Sequence, residues 1–67
     1  MKIKKRPSMR TLMRHVEAGS DSGYCIRCWT LHHAIEPDAK AYTCSNCGAH
    51  AVYGCEELIL MQEANEI

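Results

Sequence analysis

The chain has 67 residues with eight basic and eight acidic side chains, so its formal net charge is zero. A chain this short rarely buries a core worth more than a few kcal/mol, so we expect one domain with an additional stabilising element. No apolar run approaches the roughly 18 residues of a membrane span, and the neutral charge argues against a basic surface over the whole domain.

Positive charge is concentrated at the amino-terminal end. The first fourteen residues contain no acid and six bases, namely Lys2, Lys4, Lys5, Arg6, Arg10 and Arg14. The last twelve residues contain four glutamates and no base. Residues 1–7 are predicted to be a flexible basic arm that attracts phosphate or an acidic partner surface. The alternative is a solvated terminus without a role.

Residues 8–18 are predicted to form a helix. Ser8 is a good N-cap after Pro7, and Gly19 suits the position that follows a helix. Apolar side chains recur at helical spacing in one stripe, which consists of Met9, Leu12, Met13 and Val16. We expect this stripe to pack against the rest of the fold, the alternative being a partner-binding face, since methionine adapts to varied surfaces.

The middle of the chain is predicted to form three antiparallel strands. A polar linker at residues 20–23 precedes a strand at 29–35, which pairs with a returning strand at 41–43. The third strand covers 49–53 and ends at Gly54. The first two strands therefore make a hairpin that lies between two pairs of cysteines.

The segment 55–66 fits either a helix or a last strand. Glu56 and Glu57 follow Gly54, and acidic side chains favour the amino end of a helix. We therefore predict a C-terminal helix.

Four cysteines carry the strongest signal. They form two C-x2-C turns, called knuckle 1 (Cys25 and Cys28) and knuckle 2 (Cys44 and Cys47), separated by fifteen residues. This spacing is typical of a structural zinc site. Four thiolates complete the tetrahedral shell of one Zn²⁺ and leave no open position for chemistry. Iron is the competing metal, since it also accepts four thiolates.

Disulfides are disfavoured as an explanation of these cysteines. The chain opens with Met1 and a basic stretch that lacks the apolar segment of a signal peptide, so we expect a cytoplasmic protein with reduced thiols. Cys55 fits no knuckle and is expected to be a small buried side chain. His32, His33 and His50 could offer an imidazole to a metal, but four thiolates are already present and none is needed, so we expect these histidines on strand faces.

The two knuckles differ in the residue that follows them. Gly48 follows knuckle 2 and tolerates the positive φ that a tight metal turn often needs. Trp29 holds that place after knuckle 1, so this turn is expected to be more open or differently turned. Trp29 itself either covers the metal cage, which we favour, or stacks on single-stranded bases.

The segment Cys25-Ile26-Arg27-Cys28, with Cys44-Ser45-Asn46-Cys47-Gly48 after it, resembles the zinc-ribbon superfamily over residues 24–53. More loosely, size and layout are similar to small uncharacterised zinc-ribbon proteins of bacteriophage and prophage origin. The resemblance implies three antiparallel strands and binding to nucleic acid or protein. The expected fold is a small metal-stabilised α+β domain over residues 8–67: an N-terminal helix, a three-stranded antiparallel zinc ribbon and a C-terminal helix.

The predicted function is that of a non-enzymatic binding module, without a membrane or a small-molecule substrate. Nucleic acid is favoured slightly, mainly from the superfamily resemblance, with phosphate contacts from the six bases of the arm and first helix. A protein partner held by the Met-bearing helix or the acidic C-terminus is the alternative. An iron electron carrier that resembles rubredoxin is disfavoured, because the hairpin between the knuckles is short for that family.

Overall fold

A computed structural model describes residues 6–19 and 21–67. In chain order the elements are helix α1 (Met9–Glu17), strands β1 (Ser22–Cys25), β2 (Leu31–His33), β3 (Tyr42–Thr43) and β4 (His50–Gly54), and helix α2 (Cys55–Glu63). The strands form one antiparallel sheet in the order β2-β1-β4-β3. None of the described helices has the length and apolar character needed to cross a bilayer. Lys2, Lys4 and Lys5 of the predicted arm lie outside the described residues.

Helix α1 lies where its caps predict it. The Ser8 hydroxyl accepts a hydrogen bond from the Thr11 amide at 3.2 Å, which satisfies one free donor of the first turn. The predicted apolar stripe is only partly packed. Leu12 is 1% exposed, whereas Met13 is 47% and Val16 37% exposed. One side of the stripe therefore belongs to the core, and the other side remains a surface.

The strand pairing corrects the predicted three-stranded ribbon. Strand β1 begins within the predicted linker, at Ser22, and continues to Cys25. It is buried and pairs with two strands, since Tyr24 lies opposite both Leu31 of β2 and Tyr53 of β4. Strands β2 and β3 lie at opposite edges of the sheet, so the predicted hairpin between them is wrong. Each knuckle is instead the turn of its own hairpin, β1–β2 or β3–β4, and the β1–β4 pairing joins the two hairpins.

Left-handed backbone explains why β2 is shorter than predicted. Trp29 and Ala34 both have φ 57°, so the extended stretch is limited to the three residues Leu31–His33. Ala41, with φ 55°, marks the corresponding turn just before β3. Such angles are uncommon for residues other than glycine, so the alternating pattern of residues 29–35 gave no sign of these bends.

Two clusters of buried side chains form the core. The first, which we call the helix cluster, lies between the helices and the sheet and consists of Leu12, Tyr24, Cys55 and Leu58. The second, the knuckle cluster, consists of Cys25, Cys28, Cys44 and Val52. Three of its four buried members are cysteines, so apolar burial alone supplies little stability on this side of the fold.

Helix α2 follows β4 without a loop, which confirms the predicted C-terminal helix. Gly54 is both the last residue of β4 and the N-cap of α2. The segment 36–39 lies directly against this junction: the Gly54 amide donates to the Ala39 carbonyl at 3.0 Å, and the Glu57 amide donates to the Pro37 carbonyl at 3.1 Å. A Cβ atom at position 54 would overlap the backbone of Glu36 and Pro37.

We expect Gly54→Ala to destabilise the metal-loaded protein by about 3 kcal/mol, because the added methyl group forces two backbone segments apart. Gly19→Ala is the matched control. Gly19 has φ 68° and open space where its Cβ would lie, so its substitution adds only conformational strain, about 1 kcal/mol. Chemical denaturation at saturating metal measures both changes, and equal losses would contradict the close packing at Gly54.

Candidate metal centre

The two knuckles have the same backbone conformation. The Trp29 amide donates to the Cys25 carbonyl at 2.7 Å, and the Gly48 amide donates to the Cys44 carbonyl at 2.8 Å. Trp29 has φ 57° and Gly48 has φ 80°, so both residues adopt the left-handed form. The prediction that knuckle 1 is more open or differently turned is therefore wrong.

Trp29 adopts this conformation at a cost. A bulky residue in the left-handed region loses on the order of 1–3 kcal/mol, and persists there only when the surrounding structure holds it. The Trp29 ring packs against the helix cluster, which supplies that support. From the sequence, Trp29 was expected to change the turn of knuckle 1. In the structure its side chain instead joins knuckle 1 to the helices.

Backbone amides of each knuckle point at its first sulfur. The amides of Arg27 and Cys28 lie 3.4 and 3.5 Å from Cys25 Sγ. In knuckle 2 the corresponding amides of Asn46 and Cys47 both lie 3.4 Å from Cys44 Sγ. Donors placed in this way stabilise a negatively charged sulfur.

The four predicted ligand sulfurs lie together, all within 4.8 Å of one another. Cys25 Sγ is 3.6 Å from Cys47 Sγ, and Cys28 Sγ is 3.7 Å from Cys44 Sγ. A tetrahedron with metal–sulfur bonds of about 2.3 Å has edges of about 3.8 Å. These separations fit four thiolates around one metal ion, and they are far longer than the roughly 2.05 Å of a disulfide.

Side chains add a second layer of donors around two of the sulfurs. The Asn46 amide nitrogen lies 3.5 Å from Cys28 Sγ and donates to Thr30 Oγ1 at 2.9 Å. Because Thr30 Oγ1 already accepts this bond, its own proton is free to point at Cys28 Sγ, 3.1 Å away. His32 Nε2 lies 3.3 Å from Cys44 Sγ. A metal-bound thiolate carries no proton, so the imidazole is the donor in that state.

These contacts give the two thiols of knuckle 1 different pKa values. The hydrogen bond from Thr30, helped by Asn46, lowers the pKa of Cys28 to about 5 in spite of burial. Burial raises the pKa of Cys25 to about 12 although two backbone amides oppose it. The hydrogen-bond donors around Cys28 therefore favour its thiolate form, while Cys25 must release its proton when a metal ion binds.

Cys55 belongs to the helix cluster rather than to the metal centre. It is fully buried at the start of α2, and burial raises the pKa of its thiol to about 11. The prediction of a small buried side chain is confirmed. Of the three histidines near the knuckles, His32 alone contacts a sulfur, while His33 is exposed. His50 is exposed as well and pairs with Thr43 Oγ1 at 3.0 Å.

Three of the predicted basic residues, Arg6, Arg10 and Arg14, are among the described residues, and all three are exposed. Arg10 and Arg14 are exposed on α1 and border an open groove of about 370 Å³ together with Met13 and Glu17. Arg6 precedes the helix, and its Cζ lies over the Trp29 ring, 5.9 Å from the centroid.

We expect His32→Ala to weaken metal binding about tenfold, because outer-shell donors typically contribute that much to affinity. His50→Ala removes an exposed imidazole that does not contact sulfur, and should leave the affinity unchanged. His32→Gln offers a neutral N–H in place of the imidazole and should recover part of the loss. Competition with a chromogenic chelator gives the dissociation constants, and equal values for His32→Ala and His50→Ala would contradict a role for the imidazole.

Comparison with known protein families, with curated proteins and with solved structures finds no match to this chain. The fold and the site define its class on their own: a small α+β protein with a four-cysteine cluster that can hold a metal ion.

Proposed function

We propose that the protein is a non-enzymatic, zinc-stabilised module that binds nucleic acid through α1 and the amino-terminal arm. Zinc is the ion that two C-x2-C pairs most often hold in a structural site. Four thiolates fill its tetrahedral shell and leave no position for a substrate or a reactive water molecule. The chemistry of the centre is therefore structural, and its role is to fix the two hairpins that carry the rest of the molecule.

The observation that carries the proposal is the pair of exposed guanidinium groups on α1. Arg10 and Arg14 are four residues apart, so they lie on the same side of the helix. Arg10 stands in the first turn, which contains no acidic residue. A positive charge there opposes the helix dipole. The helix gains nothing from the charge of Arg10, so a role outside the fold explains that charge better.

Neither arginine forms an ion pair with a residue that the structure describes, although Glu17 borders the same groove. Within residues 6–19 and 21–67, the one ion pair joins Lys40 to Glu57 at 3.9 Å. The guanidinium groups of Arg10 and Arg14 are thus available to phosphate, which arginine binds with two parallel hydrogen bonds. The lysines of the arm add charge at the same end of the sequence.

Negative charge elsewhere restricts nucleic acid to this face. Four thiolates around one divalent ion carry a net negative charge, and α2 begins with Glu56 and Glu57. Phosphate is repelled by both. Binding should therefore be salt-dependent and largely independent of sequence, because it depends on a few backbone contacts.

Fluorescence anisotropy of a labelled oligonucleotide over a range of salt concentrations tests the proposal. The logarithm of the association constant should fall linearly with the logarithm of the salt concentration. Absence of binding to both DNA and RNA at low salt would refute it.

A protein partner is the second candidate, and the exposed half of the apolar stripe favours it. Met13 and Val16 lie beside the two arginines on the same helix and remain accessible. An acidic, apolar peptide would complement that surface. Substituting Met13 and Val16 by polar residues separates the candidates, since it should weaken a peptide complex and leave phosphate contacts intact.

A further inference from the structure

We propose that the nucleic acid is single-stranded and that one of its bases stacks on the indole ring of Trp29. The inference rests on the proposed function and adds the class of strand and the residue that meets a base. Three observations support it: the way Trp29 is held, the distance between its ring and Arg6, and the position of the arginines of α1.

Trp29 is held as a rigid platform. Its backbone is fixed by knuckle 1, where its amide bonds to the Cys25 carbonyl at 2.7 Å. Part of the side chain packs against the helix cluster, and the residue as a whole is only half-buried. These contacts restrict the ring before binding, which reduces the conformational entropy lost when a base stacks on it.

The guanidinium of Arg6 lies over this ring, with its Cζ 5.9 Å from the ring centroid. A cation at this distance is within reach of the π face of the indole. Arg6 is exposed, so a base can take its place over the ring, and the guanidinium can then stack on that base. Both surfaces are ones on which bases stack in single-strand complexes.

The phosphate contacts and the platform are connected at the amino end of α1. Arg10 and Arg14 lie about 160° around the helix from the buried Leu12, so they are on the opposite side of α1 from the cluster against which Trp29 packs. Arg6 lies over the ring and precedes the N-cap Ser8, and Arg10 stands in the first turn of the helix. A single strand that contacts Arg10 and Arg14 therefore passes Arg6 at this end of the helix to bring a base onto Trp29. A duplex cannot do so without unstacking that base, since its bases are paired inside the helix.

Trp29 is the only tryptophan in the sequence, so intrinsic tryptophan fluorescence reports on this site alone. The metal-loaded full chain is titrated at low salt with a 12-nucleotide DNA strand, an abasic strand of equal length and the corresponding duplex. We expect the normal strand to quench the fluorescence and to bind about tenfold more tightly than the abasic strand. The abasic strand and the duplex should bind through phosphate with little quenching.

The outcomes separate the inference from the proposed function. If anisotropy shows no binding of any of the three ligands, the proposed function fails and the inference with it. If the normal and abasic strands bind equally and the fluorescence does not change, the proposed function stands and the inference is wrong. Trp29→Leu should abolish the preference for the normal strand, and Trp29→Phe should keep most of it. If Trp29→Leu does not fold, the wild-type quenching and the abasic comparison still decide.

Discussion

Excess chelator at neutral pH is expected to unfold the protein, so that its dispersed NMR spectrum collapses as the metal is withdrawn. The reason lies in the knuckle cluster, where Val52 is the one fully buried side chain besides the three cysteines. Structural zinc contributes an apparent binding free energy of roughly 10–16 kcal/mol, whereas a whole domain is stable by about 5–15 kcal/mol. The joined hairpins therefore lose most of their stability with the metal.

Two buried cysteines provide a matched test of this expectation. Cys28→Ala removes a ligand and should abolish both folding and stoichiometric metal binding. Cys55→Ala removes an equally buried sulfur from the helix cluster and should cost about 1 kcal/mol, with one metal ion still bound per chain. Elemental analysis gives the stoichiometry, and visible absorption distinguishes iron from colourless zinc. A dispersed spectrum that survives complete metal removal would contradict the dominance of the metal.

The set of clustered cysteines could be predicted from the sequence because local spacing encodes it. A C-x2-C turn places two sulfurs on one side of a tight loop whatever the surrounding fold, and the structure brings both turns together. The N-terminal helix could equally be predicted from the sequence, because Ser8 and Gly19 specify its ends by local hydrogen bonding. Features that depend on neighbours within a few residues were the ones predicted correctly.

The order of the strands could not be predicted from the sequence in the same way. Ser22 and Gly23 have low strand propensity, yet both are buried in β1, which pairs on both sides. Gly23 is required there because a Cβ would collide with the Tyr53 carbonyl and the Ile35 side chain. That constraint comes from residues distant in sequence. Without β1, the strand around residues 31–33 had no partner except 41–43, which produced the wrong hairpin.

The outer shell of the metal centre could be predicted from the sequence only in part. Thr30 and His32 are two residues apart in the predicted strand 29–35 and so share one of its faces, and both meet sulfurs, those of Cys28 and Cys44. The alternation showed that they share a face but not what the face contacts. The contribution of Asn46 depends on the tertiary approach of knuckle 2 to Thr30, for which the sequence contains no local signal.

The charge-reversed variant Arg10→Glu/Arg14→Glu is expected to bind single-stranded DNA far more weakly than the wild type and to show a flatter salt dependence. Each lost phosphate contact lowers the log–log slope by about 0.7 on a single strand, so two lower it by about 1.4. Taking 1 M salt as the reference, this corresponds to roughly a 25-fold loss of affinity at 0.1 M. The exposed positions of both side chains predict that folding and metal content stay unchanged.

Two further comparisons show whether position or net charge is responsible. Arg14→Glu and Lys40→Glu change the net charge equally, but Lys40 is paired with Glu57 of α2 and does not belong to the site on α1, so only Arg14→Glu should flatten the slope. Arg10→Lys/Arg14→Lys keeps the charge and loses the paired hydrogen bonds of arginine, so its slope should match the wild type while its affinity falls modestly. If Lys40→Glu weakens binding as much as Arg14→Glu, the contact is a diffuse attraction to the whole protein. The site on α1 is then wrong, and the exposed Met13 and Val16 become the surface on which a protein partner should be sought.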